Sequence, residues 1–134
     1  MSKASRITGW VLSVLLAIVF AGISAPGKFV VSKETAANME KMGFTTDLMF
    51  KIGIVEVTIT ILYLIPRTAF IGAILLTGYL GGAIVTHVRV GESIIAHIII
   101  GILIWTALGL RQRGIFQLAV GSTPCAPPSL GTPA

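Results

Sequence analysis

Residues 68–88 read TAFIGAILLTGYLGGAIVTHV, 21 positions between Arg67 and Arg89 without one formal charge. At about 1.5 Å per residue, about 20 residues of α-helix cross a hydrocarbon core of roughly 30 Å. A second uncharged stretch of 21 residues separates Arg6 from Lys28, and one of 18 lies between Glu92 and Arg111. A fourth apolar segment, from about Leu48 to Ile65, carries Glu56 inside it and stops at Pro66. The pattern predicts an all-α fold, a four-transmembrane-helix bundle with spans at about 7–26, 48–66, 68–88 and 93–110. The membrane domain is then 1–113, and 114–134 is a flexible tail rich in Pro and Gly.

Composition agrees. The 134 residues are 54% hydrophobic and only 11% charged, with mean hydropathy +0.94. A soluble domain carries about 25% charge, so a soluble fold of this size could not cover its apolar residues. Ten Lys and Arg against five Asp and Glu give a net charge of +5. These cations are scattered singly, as expected beside membrane helices and anionic lipid, and they form no basic run that would bind nucleic acid. Cys125 is the only cysteine, so no intramolecular disulfide forms.

Lys3 and Arg6 before an apolar run also fit a signal peptide. The run is long enough to span, however, and Pro26 follows Ala25, the most obvious small-residue cleavage site, so a retained span is expected. In the first loop Ser32 can cap a short interfacial helix that Gly43 ends, with Val30, Ala37, Met39 and Met42 toward the membrane surface. Flanking Lys and Arg balance between the two sides. Lys3 and Arg6 immediately precede the first span, which usually dominates orientation, so both termini are expected in the cytoplasm of a multi-pass protein of the cell inner (plasma) membrane. Trp10, Tyr63 and Trp105 fall near that face, as an aromatic belt would.

Small residues let membrane helices approach closely. Gly9, Ser13, Ala17 and Ala21 form a ladder at spacing four, and Gly78, Gly82 and Gly101 are the corresponding packing candidates on the third and fourth spans. Their main expected use is packing within the chain. Contact in a homo-oligomer is the other.

Glu56 is the most informative residue. A carboxylate in mid-span costs about 2.5–3.5 kcal/mol on insertion scales, so it is either protonated or paired inside the bundle. Gly53, Thr60 and Tyr63 share its helical face, which points that face inward. Chain direction places Glu56, His87, Arg89 and His97 in one half of the membrane, with Lys28 and Lys51 at its rim. Three readings compete: a structural lock in which Glu56 bridges to His97 or an arginine, a ligand or proton site at the mouth of the bundle, and a metal site. A metal is not expected, because the three candidate ligands differ in depth by up to about 10 Å and no HxxxH or ExxH pair occurs. No CxxC, P-loop, GxGxxG or nucleophile elbow is present, so no catalytic residue and no cofactor is evident and enzymatic activity is not expected.

Gly53-Ile-Val-Glu56, then Leu62-Tyr-Leu-Ile-Pro66-Arg-Thr, Gly72-Ala, and Gly78-Tyr-Leu-Gly-Gly-Ala-Ile-Val-Thr-His87-Val-Arg89-Val-Gly together resemble the DoxX-like family of small four-helix membrane proteins. The Lys28 region and Met42-Gly43-Phe44 are similar to its first loop, and the resemblance covers roughly residues 7–113. It implies an accessory membrane subunit of undetermined biochemical activity, associated with redox-complex protein partners, with quinone as the one cofactor it suggests. It maps the family's recurrent Glu and His onto Glu56 and His87. The alternatives are a small proton-coupled transporter or permease-like protein and, less favoured, a quinone-dependent oxidoreductase.

Overall fold

A computed structural model describes residues 2–121, in which every regular element is a helix and none is a strand. Helix α1 (Lys3–Ala17) continues as a π-helical segment, Ile18–Ser24, and then as one turn, α2 (Pro26–Phe29). Helices α3 (Lys33–Met42), α4 (Thr46–Leu64), α5 (Ala69–Arg89), α6 (Ile95–Arg111) and α7 (Gly114–Ala119) complete the chain order.

Local chemistry sets most boundaries. Ser2, Ser32 and Thr45 each accept a hydrogen bond from the backbone N–H three residues on, capping α1, α3 and α4. Gly43 ends α3 at φ +80°, a left-handed conformation that glycine adopts without a Cβ clash. The cap and stop expected for this loop helix are therefore both present. Helix α4 ends at Leu64, two residues before Pro66, whose ring disfavours helical backbone in the residue preceding it. Helix α7, at the start of the expected tail, packs against α6. The rest of that tail, Cys125 included, lies outside the described residues.

Taken as one helix, Lys3–Phe29 is long and apolar enough to cross a membrane, and so is α5. Helix α6 is apolar over 17 residues. Helix α4 is 19 residues long and carries Asp47, Lys51 and Glu56. In space α1 lies against α6, α6 against α5, and α5 against α4, with α4 also meeting the π segment and α2. Leu16, Phe20, Ile59, Leu76, Ile104 and Leu108, drawn from all of these long elements, meet in one core. More large apolar side chains are exposed than buried. That inverted surface is what a lipid environment accepts and water does not.

Glycine packing on the later spans is placed differently from the sequence expectation. A Cβ on Gly9 would sit 2.8–2.9 Å from the backbone of Ala107 and Arg111, and one on Gly72 would run into the backbone of Tyr63. These two glycines bring α1 onto α6 and α5 onto α4. Gly78 and Gly82 are exposed, with nothing within 4 Å of an added Cβ, and Gly101 has only a Leu80 methyl at 3.8 Å. The close helix contacts need Gly9 and Gly72; Gly78 and Gly82 face open space.

Candidate functional site

The site begins at the π segment. The N–H of Ala25 donates to the carbonyl of Phe20 at 2.8 Å, five residues back instead of four. Such a turn rotates the downstream residues relative to a regular α-helix, and π turns recur at functional sites. Pro26, which lacks an N–H, then opens α2. Lys28 is thereby turned inward toward α4. Gly53 permits the approach: a Cβ there would be 3.0 Å from the Phe29 ring and 3.3 Å from Lys28 Cβ.

Lys28 Nζ donates to Glu56 Oε2 at 2.7 Å, to Ser24 Oγ at 2.7 Å and to the Ser24 carbonyl at 3.3 Å. Glu56 is fully buried, and 14% of the Lys28 side chain is exposed. Gly53, Thr60 and Tyr63 are buried on the same face of α4, so that face does point inward. The partner differs from the one expected. Glu56 bridges to Lys28 and not to His97 or an arginine. A lysine placed at the rim by residue counting is delivered to the carboxylate by the π turn. A signal for it exists in the sequence: Lys28 is the first cation after the first apolar run, one turn beyond Ser24.

The pair lines a cavity of about 520 Å³. Ser24, Lys28, Glu56, Tyr79, Thr86, His87 and His97 supply its polar atoms, and Val19, Phe20, Met49, Ile52, Leu80 and Ile100 much of its apolar wall. Ligand sites commonly enclose about 300–1,000 Å³ with few polar groups on mainly apolar walls. Gly78 and Gly82 border this cavity, and both are exposed. Met42 and Phe44, at the end of α3, form part of its lining near the loop.

Two polar atoms of the cavity residues are buried without a partner: Glu56 Oε1 and His97 Nδ1. The His87 and His97 rings lie 4.3 Å apart between centroids. His87 Nδ1 is 2.7 Å from the Ala83 carbonyl. A carbonyl only accepts, so Nδ1 carries the proton of a neutral His87 and Nε2 is left as the acceptor. Nε2 faces Glu92 Oε2 at 3.8 Å, and Glu92 in turn meets Lys41 of α3 at 3.2 Å. Gly91, at φ +73°, makes the turn that brings Glu92 back to the end of α5, where its N–H donates to the His87 carbonyl. Of the four residues expected in this half, Glu56, His87 and His97 line one cavity. Arg89 is exposed and does not. Among the described residues no three His, Cys, Asp or Glu come together as a metal site would require.

A second polar cluster lies toward the chain termini. Arg111 is 5% exposed, and Nη1 donates to Ser13 Oγ at 3.0 Å and to the Tyr63 carbonyl at 3.1 Å, while Nη2 donates to the Leu64 carbonyl at 3.0 Å. Trp10 lies over the guanidinium at 4.0 Å. Tyr63 is fully buried and donates to the Ile104 carbonyl at 2.9 Å, so it is an internal strut and not part of an aromatic belt. Sequence reasoning counted Arg111 only as a flanking charge and missed this cluster.

The family model described as the DoxX-like family matches residues 11–110, most of the chain and all of both clusters except Trp10 and Arg111. No curated protein and no solved structure matches the chain.

Proposed function

The chain belongs to the DoxX-like family, and on that premise we propose that it is a four-span membrane protein that holds a lipid-soluble ligand in one leaflet. It serves as an accessory subunit beside redox-complex protein partners, and quinones are the ligand class that the family relationship suggests. The observation that carries the reading is the buried, partnerless Glu56 Oε1 in the wall of a largely apolar cavity. An unsatisfied buried polar atom is costly and calls for a partner.

Four crossings are supported by how the charges on α4 are handled. Asp47 and Lys51 pair with each other at 2.7 Å near its start, and Glu56 is neutralised by Lys28. Helix α6 extends about 26 Å. Ile54, Val55 and Ile61 of α4 and Ile98, Ile99 and Ile102 of α6 are exposed, as lipid-facing side chains are. Both termini lie in the cytoplasm on this reading. A membrane-impermeant thiol reagent added outside intact cells should therefore leave Cys125 unlabelled, and labelling by it reverses the orientation.

The ligand reading is tested by filling the cavity where the fold tolerates it. Gly82→Leu adds a side chain into open space and replaces a poor helix former, so stability should hold or rise by up to about 1 kcal/mol. Protein released from nanodiscs of native lipid should carry a bound lipid-soluble molecule in native mass spectrometry, and the Gly82→Leu protein should not. Equal bound mass in both proteins rules the cavity out as the ligand site.

A proton-coupled transporter is the second reading. It is favoured by the run Glu92, His87, His97 from the exposed loop into the cavity. Proton uptake driven by a substrate gradient in proteoliposomes would select it.

A further inference from the structure

The hydrogen-bonding capacity around the Lys28–Glu56 pair restricts the kind of head group the cavity can take. An ammonium has three donors and no acceptor. All three donors of Lys28 are engaged, by Glu56 Oε2, Ser24 Oγ and the Ser24 carbonyl. Lys28 therefore has nothing to offer a carbonyl, an ether or an anion. Glu56 Oε1 is fully buried and accepts no hydrogen bond, with the Tyr79 hydroxyl near the carboxylate. A carboxylate paired with an ammonium only accepts. His97 Nδ1, also unpartnered, accepts or donates according to its tautomer. The ion pair sums to zero charge, so a charged head would enter a low-dielectric site without a counter-charge.

We propose that the cavity selects an uncharged amphiphile whose head donates a hydrogen bond, a lipid alcohol or phenol, with the O–H on Glu56 Oε1 and the apolar body along the walls formed by the π segment, α5 and α6. This rests on the cavity being a ligand site.

The test uses the full chain in detergent micelles and four probes with the same long alkyl tail: a 4-alkylphenol, its methyl ether, the aliphatic alcohol and the carboxylate. Binding is read by competition against a diazirine-bearing alkylphenol that crosslinks to the protein. The phenol or the alcohol, or both, should bind at least tenfold more tightly than the ether and the carboxylate, and whichever leads identifies the head as aromatic or aliphatic. In Lys28→Met/Glu56→Leu, which removes both charges together, that discrimination should collapse and the ether should bind as well as the phenol. Ether and phenol binding equally to the unaltered chain, with both lost in Gly82→Leu, overturns the head-group assignment and leaves the cavity reading standing. Tightest binding by the carboxylate also overturns it. No crosslink of the diazirine-bearing alkylphenol to the unaltered chain overturns both.

Discussion

Lys28→Met should cost about 3–5 kcal/mol of stability, the largest loss expected from a single substitution in this half of the protein. It leaves a fully buried carboxylate with neither oxygen paired, since Oε1 has no partner to begin with and Oε2 has only Lys28. Ser24 Oγ and the Ser24 carbonyl lose their donor in the same step. Removing both charges is a different experiment. Lys28→Met/Glu56→Leu places two apolar side chains where the pair was, and such replacements of buried pairs are often neutral or stabilising. The double variant should therefore be at least as stable as the unaltered protein, to within about 1 kcal/mol. A double-mutant cycle on reversible unfolding in mixed detergent micelles measures this. A loss below about 1 kcal/mol for Lys28→Met alone would show that the pair is not what holds α2 against α4.

Arg111→Leu should be comparably damaging, at about 3 kcal/mol or more, because of how α4 ends. The last carbonyls of a helix have no partner within it. Here the Leu62 carbonyl accepts from Thr68 Oγ1 at 2.8 Å, those of Tyr63 and Leu64 from Arg111, and that of Pro66 from Gln112 Nε2 at 2.7 Å. One side chain thus satisfies two buried or partly buried carbonyls and the Ser13 hydroxyl, and joins α6 to α1 and α4. Hydrogen bonds to a charged donor are worth about 1.5–3 kcal/mol each, and they do not add fully within one network. Arg111→Lys should recover little of the loss. A single ammonium cannot reproduce the two-nitrogen fork, and it gives up the planar stacking against Trp10. Thermal melting of the three proteins in the same detergent gives the comparison, and full recovery by lysine would mean that charge alone matters.

The pairings in these two clusters are not legible in the sequence, whereas the helices that carry them are. Apolar runs of 18 to 21 residues, Pro66, Ser32 and Gly43 act through neighbours within one turn, so helices and their ends are legible locally. The inward face of α4 is legible for the same reason, because Gly53, Glu56, Thr60 and Tyr63 repeat with the helix period. The cavity is not. Gly78 and Gly82 have the spacing of a packing motif, and whether such a face meets a helix or an opening depends on what the other helices leave beside it.

The sequence by itself determined that this chain is helical and apolar, and that Glu56 must find a partner away from lipid, since the cost of an unpaired carboxylate there does not depend on the arrangement. The tertiary structure alone decided who that partner is. Lys28 lies 28 residues away, and it reaches Glu56 because one π turn rotates it inward and Gly53 leaves room for α2. Arg111 likewise lies 98 residues from Ser13, and only the packing of α1 on α6 turns a flanking charge into a buried clasp. Helix periodicity fixes which side chains share a face. It carries no record of which face of another helix will stand opposite.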